Sequence, residues 1–309
     1  MSAQLALVVE EVDGEKVPMH ISRPSSKPQA AIIVCHHAAG IYQDSFQRRF
    51  CDALAQCGFL VALPDFYHRA WPSTAVADSK GAGLSQKDVP VVTLLRTLRD
   101  EEIQRDLQSA LTFLGREDVS RIGITGFCLG GRTSWLAGCS FPTQIEACCI
   151  YHGGNIKVPL DGGLSGFAKM AVGQVVGSWA STWVPGSRRP SPWELREKLR
   201  CPVMGHMAAL DNNPSPADAQ AFKEALLQQG VDAEFYEYEG AKHGFSCADS
   251  SNYQQDGADL AWSRTVEFFC RALGHVMPKQ LPDPPHRENT TVVGSACTSG
   301  CEELQRSRQ

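Results

Sequence analysis

The stretch Arg121-Ile122-Gly123-Ile124-Thr125-Gly126-Phe127-Cys128-Leu129-Gly130-Gly131 decides how this chain folds. Its first part is a short apolar run, and the sequence after Gly131 continues in a helical pattern. Between them Cys128 stands with a glycine two residues to either side. A side chain at a sharp strand-to-helix turn is pushed out at the carboxyl end of a sheet, and flanking glycines give the turn its room. Serine is the usual occupant of such a position; here it is cysteine. The helix that follows aims its first N–H groups and the positive end of its dipole at the sulfur, which favours the thiolate. The backbone N–H of Leu129 is placed to meet a substrate oxyanion.

The same rhythm extends in both directions. Residues 30–35 and 59–63 are continuous apolar runs, the pattern of strands buried on both faces. A helical stretch with Phe46, Phe50 and Leu54 lies between them, and Ile103, Leu107, Leu111 and Leu114 mark another before the central turn. Further strand-like runs at 145–151, 202–210 and 234–238 are interleaved with helical sequence at 193–199 and 217–229, and 257–273 closes the body. Strands alternating with helices predict an α/β fold with a mostly parallel central sheet and helices on both faces. Ahead of it, 5–11 and 17–21 flank Asp13-Gly14, a pair suited to a tight hairpin.

Residues 1–275 are expected to form one domain. Inside it, 154–192 is rich in Gly, Ser, Trp and Pro and too long for an ordinary link, so an insertion that caps the site is expected there. Its middle, 164–179, reads as a glycine-loosened helix. The segment 276–309, with Pro282, Pro284 and Pro285, reads as a disordered tail.

Across 309 residues, 29 Lys and Arg stand against 34 Asp and Glu, for a formal charge of -5 with no dense basic patch. Nucleic acid is therefore not expected as a partner. No apolar run approaches the ~18 residues of a membrane span, and the N-terminus lacks the basic start and cleavage site of an export signal. A cytoplasmic chain with no membrane partner is expected. Its twelve cysteines then read as reduced, and mostly as small buried apolar residues. The sequence leaves the oligomeric state open.

A nucleophile needs a base and an orienting acid, and at successive strand ends the order nucleophile, acid, histidine is expected. Asp211 follows the run 202–210, with Asp218 as a weaker rival. His243 lies just after 234–238, in Gly240-Ala241-Lys242-His243-Gly244-Phe245. With Gly126-Phe127-Cys128-Leu129-Gly130-Gly131, Pro64-Asp65-Phe66-Tyr67 and Ala209-Leu210-Asp211, this pattern resembles the dienelactone hydrolase family of α/β-hydrolases over roughly residues 5–273. The resemblance implies an α/β-hydrolase fold and a Cys128–His243–Asp211 triad acting on a small-molecule ester or lactone, like a carboxymethylenebutenolidase. It implies an oxyanion hole from the backbone N–H groups of Ala38 and Leu129, and no metal or organic cofactor.

Two positions depart from the family pattern. Where the family carries a glutamate that contacts the resting cysteine, this chain has His37, within His36-His37-Ala38-Ala39-Gly40. Where it carries a substrate-binding arginine four residues after the catalytic histidine, this chain has Cys247. Arg69 is then a candidate for a replacement cation, and His37 and Tyr151 are candidates for contact near the substrate. Other readings of the same residues are a thioester hydrolase, a non-catalytic binder of a ligand or partner on this fold, and a redox-responsive thiol protein using Cys128.

Overall fold

A computed structural model describes residues 6–12, 15–41, 45–70, 89–119, 121–161 and 189–285. Among these, eight strands form one sheet in the order β1-β2-β4-β3-β5-β6-β7-β8. They are β1 (Ala6–Val12), β2 (Glu15–Ser22), β3 (Ala30–Cys35), β4 (Leu60–Pro64), β5 (Arg121–Phe127), β6 (Ala147–Tyr151), β7 (Val203–Ala208) and β8 (Ala233–Tyr238). Strands β1 and β2 pair antiparallel with Val12 opposite Glu15, and β2 runs antiparallel to β4. From β4 to β8 every pairing is parallel. The expected turn residues Asp13 and Gly14 lie outside the described residues.

The crossovers are helical: α1 (Phe46–Gln56), α2 (Val91–Leu95), α3 (Asp100–Arg116), α4 (Leu129–Ser140), α5 (Pro216–Gln228) and α6 (Gln255–Ala272). Because side chains alternate along a strand, the unbroken apolar run of β3 serves two cores. Ala31, Ile33 and Cys35 join a cluster with Leu107, Leu136 and Phe222 beneath α3, α4 and α5. Ala30, Ile32 and Val34 join Phe50, Leu54, Trp262 and Phe269 of α1 and α6 on the opposite face. The sheet is thus covered on both sides, and its carboxyl edge is left for loops.

Residues 193–199, expected to be helical, carry only a short 3₁₀ turn at Arg196–Lys198. The middle of the 154–192 segment falls in 162–188, outside the described residues. Its leading part is strapped to the body by a buried Arg132–Asp100 pair, described below. Of the tail expected from 276 onward, 276–285 is described and lies along the body. There Leu281 packs on the core around α1 and α6, and the Pro285 carbonyl accepts a hydrogen bond from Arg49. Among the described residues no helix is long and apolar enough to cross a membrane.

Candidate active site

Strand β5 ends at Phe127, and the next residue turns the chain into α4. Cys128 sits at φ 56° and ψ -112°, a region that non-glycine residues rarely adopt. Such a conformation costs on the order of 1–3 kcal/mol and persists only where its surroundings enforce it. Here they do. The Cys128 N–H donates to the Tyr151 carbonyl at 3.0 Å, and the Cys128 carbonyl accepts from Arg132 N at 3.2 Å. A Cβ on Gly130 would come within 2.0 Å of the Cys35 carbonyl oxygen, and one on Gly126 within 2.5 Å of the Gly130 backbone. Both contacts are with backbone, so no side chain can move aside, and glycine is required at both positions.

Strands β7 and β8 deliver the other two groups. Asp211 closes a turn after β7, its N–H donating to the Ala208 carbonyl. One carboxylate oxygen accepts the Asn213 N–H at 2.9 Å and the other lies 2.7 Å from His243 Nδ1. With Nδ1 committed to the acid, the far nitrogen of His243 is left for the thiol, and the two side chains lie close enough to shift each other's titration. The Asn252 side chain holds the His243 carbonyl at 3.0 Å. The loop is tied to α1 as well: Asp249 accepts the first helical N–H, of Phe46, at 2.7 Å and pairs with Arg49 at 2.9 Å. Ser45 gives that helix no side-chain cap, so a residue from the histidine loop caps it instead. The rival acid Asp218 is occupied elsewhere, in a capping box with Ser215 at the start of α5 and in an ion pair with Lys157.

Cys128 and His243 shift each other in opposite directions. Burial opposes the Cys128 thiolate, but the charge of His243, its hydrogen bond and the Leu129 N–H outweigh it. The thiol is held below its ordinary value. Burial likewise opposes the His243 imidazolium, and the Cys128 charge with the Asp211 hydrogen bond overcomes it, raising His243 well above the usual range. Both directions favour a thiolate–imidazolium pair at neutral pH. Elsewhere burial prevails: it pushes the thiols of Cys57, Cys139, Cys149 and Cys201 up to about 12. Among the ten described cysteines all but half-exposed Cys128 are buried. Among the ten described cysteines, alkylation by iodoacetamide should therefore begin at Cys128, with an acid limb below that of an ordinary thiol. In His243→Ala burial is left without its counterweight, so that limb should move to the alkaline side. An unmoved limb would contradict the pairing.

The loop after β3 supplies the opposite wall. Fully buried His36 staples it: Nδ1 donates to the His37 carbonyl at 2.7 Å, and Nε2 accepts the Phe66 N–H at 3.1 Å. Burial drives His36 down to about 3, so it stays neutral. Half-exposed His37 accepts the Ala39 N–H on Nδ1 at 3.1 Å. Burial keeps it below its ordinary value although the charge of Asp249 works the other way, so the neutral ring carries its proton on Nε2. His37 thus shapes the turn and presents a donor, where the family's glutamate would present an acceptor. The Tyr67 hydroxyl donates to the Ala38 carbonyl at 2.8 Å and fixes the peptide unit after the expected oxyanion donor. On the other side the Leu129 N–H favours the thiolate form of Cys128.

Two expected neighbours belong elsewhere. Tyr151 occupies a position of β6 that faces α6, and its hydroxyl bonds Thr265 at 2.5 Å and the Ala261 carbonyl at 3.2 Å inside the core. Only its backbone carbonyl serves the elbow. Arg69 is engaged by Asp106, a carboxylate with no exposed surface, through two contacts of 2.9 and 2.8 Å. Its guanidinium is part of the body beneath the loop, not a substrate cation. The residue that does reach the site from β6 is the next one, His152, fully buried beside His243 with ring centroids 4.9 Å apart. Among the described residues no group of three or more His, Cys, Asp or Glu is arranged to hold a metal.

Comparison with known proteins gives the family and the fold. The model of the dienelactone hydrolase family matches residues 17–273. A provisionally named carboxymethylenebutenolidase of Escherichia coli O157:H7 is 26% identical over 262 residues, covering 83% of each chain. One from Saccharolobus solfataricus is 25% identical over 287 residues, covering 84% of this chain and 95% of its own. The crystal structure of a provisionally named dienelactone hydrolase from Klebsiella pneumoniae superposes with a TM-score of 0.67 at 23% identity. It covers 88% of this chain and all of the other, a likeness of fold. With a family match over more than four-fifths of its length, the chain belongs to the dienelactone hydrolase family.

Proposed function

We propose that this protein hydrolyses a small ester or lactone through an acyl-thioester on Cys128. The observation that carries the reading is the pairing of Cys128 with His243 at the elbow. There a strained, half-exposed thiol is held below its ordinary value by the charge of an imidazole that Asp211 holds at 2.7 Å. The Cys128 thiolate adds to the substrate carbonyl carbon, and the oxyanion forms against the N–H groups of Leu129 and Ala38. Each such donor commonly contributes ~3 kcal/mol in the transition state. The intermediate collapses as the His243 imidazolium protonates the leaving oxygen, giving the thioester and an alcohol, or a ring-opened hydroxyl from a lactone. Neutral His243 then takes a proton from water as it attacks the thioester. Release of the carboxylic acid returns the thiolate–imidazolium pair. Asp211 holds the imidazole in one tautomer and stabilises its charged form throughout.

The same site favours an uncharged acyl group. Arg69 is bound to Asp106, the position four residues beyond His243 is buried Cys247, and His37 and His152 are both held neutral. The charge that acts on His37 is the carboxylate of Asp249. A panel of matched aryl esters and lactones, with and without a carboxylate on the acyl side, tests both statements. Hydrolysis of the neutral members is expected, with kcat/KM at least ~10-fold above the carboxylate-bearing ones, the discrimination that ~1.4 kcal/mol of unpaired charge would give. A preference for the carboxylates would overturn the substrate class. Inertness across the panel would overturn the reaction.

A further inference from the structure

His152 is not accounted for by the triad, and its surroundings are unusual. It directly follows β6, and its side chain has no exposed surface. Its backbone sits at φ 37°, in the left-handed region, where a bulky residue is uncommon. That conformation is imposed from behind: the His152 N–H donates to the His206 carbonyl at 2.8 Å, and Gly153 is packed against the backbone of Gly131 and Arg132 in α4. Strain at a buried polar residue beside a reactive group is a pointer to function. The ring lies edge-to-face on His243 with centroids 4.9 Å apart, and its Nε2 is 3.1 Å from the Ser246 hydroxyl. Its Nδ1 is buried without a hydrogen-bond partner.

Ser246 is three residues beyond His243 on the same loop, so this contact joins the end of β6 to the loop that carries the catalytic imidazole. A phenyl ring would fill the same space, but it would form no bond to fix its rotation. We propose that His152 is a positioning residue: locked by Ser246, its ring is the wall that holds His243 with Nδ1 on Asp211 and Nε2 on Cys128. The groups around this contact are Cys128 at the elbow, His206 on β7, Asp211 after β7, His37 on the loop after β3 and Asp249 behind it. A second imidazolium here would repel the first. Burial, then the charge of His243, keep His152 far below its ordinary value and neutral, leaving the proton of the site on His243.

The role rests on the Cys128–His243 reading, and its test has one readout that needs no substrate. In His152→Phe the acid limb of Cys128 alkylation should move up by about half a unit or more. The kcat on an aryl ester should fall by about 10-fold or more with KM within ~2-fold, since small misplacements of a catalytic group have large effects on rate. Ser246→Ala, which leaves the ring in place, should move both quantities in the same direction by less. The double variant should be no worse than His152→Phe alone, as expected of two partners in one interaction. If His152→Phe alters the circular dichroism spectrum, Ser246→Ala carries the test. An alkylation limb and a kcat equal to wild type in the folded variants would overturn the role. Wild-type protein inert toward esters but with shifted alkylation in the variants would overturn the hydrolase reading and leave the positioning role standing.

Discussion

Replacing Cys128 with alanine should lower hydrolysis of a neutral aryl ester by at least about 10⁴-fold, because removing the nucleophile of a triad commonly removes nearly all that the triad contributes. The residue is already confined to φ 56°, and alanine asks nothing more of that backbone than cysteine does. The variant should therefore melt close to wild type, and its loss is chemical. Cys128→Ser is the more informative companion. His243 is held protonated largely by the neighbouring thiolate, and a serine hydroxyl supplies no such charge at neutral pH. His243 should then fall back toward its ordinary range and be available as a base, but toward a far weaker acid than a thiol. Activity at least ~10²-fold below wild type is expected, with an acid limb set by His243 rather than by the thiol. A Cys128→Ala protein hydrolysing at the wild-type rate would remove the thioester mechanism altogether. Full activity in Cys128→Ser would place the proton inventory of the site elsewhere.

The legibility of this site in the sequence follows from where each group sits. Cys128 and Asp211 follow closely on buried strand runs and His243 stands in the loop after β8, and side chains that leave the carboxyl ends of parallel strands share one edge by construction. Three chemically apt residues at three such ends are a strong signal even without distances. The structure brings His243 and Asp211 to 2.7 Å. Tyr151 and His152 show what a strand end conceals. The run ends in an aromatic residue followed by histidine, and only the alternation of the strand assigns Tyr151 to the core beside Cys149 and leaves His152 at the edge.

Arg69 had no comparable signal. Its partner Asp106 lies 37 residues away on the buried face of α3, and nothing local distinguishes a substrate cation from one half of a buried ion pair. The cap that Asp249 gives α1 from 203 residues away is illegible for the same reason. Local chemistry is written locally, while pairing across the fold is decided by topology.

The largest stability effect expected is at Arg132, one turn beyond the nucleophile. Its guanidinium has no exposed surface and grips Asp100 at 2.6 and 2.9 Å, and it also donates to the carbonyls of Asn155 and Val158. Asp100 in turn accepts the Leu160 N–H at 2.8 Å and donates its own N–H to the Leu160 carbonyl at 2.9 Å. One buried ion pair thus binds the chain leaving His152 to the start of α3 and the first turns of α4. Arg132→Met leaves a carboxylate without a counter-charge and the Val158 carbonyl without its donor, while the Asn155 carbonyl keeps the Val158 N–H. Breaking a buried pair from one side typically costs about 3–5 kcal/mol, which for a chain of this size lowers Tm by roughly 10 °C. Replacing both partners, as Arg132→Met with Asp100→Leu, removes the orphaned charge and should recover part of that loss. Recovery should stay incomplete, because the Val158 carbonyl still lacks its donor and the Leu160 N–H has lost its acceptor. Chemical denaturation of the three proteins separates these terms. An Arg132→Met midpoint indistinguishable from wild type would mean that the strap contributes nothing. A double variant less stable than Arg132→Met would mean that the carboxylate does more by holding Leu160 than it costs as an unpaired charge.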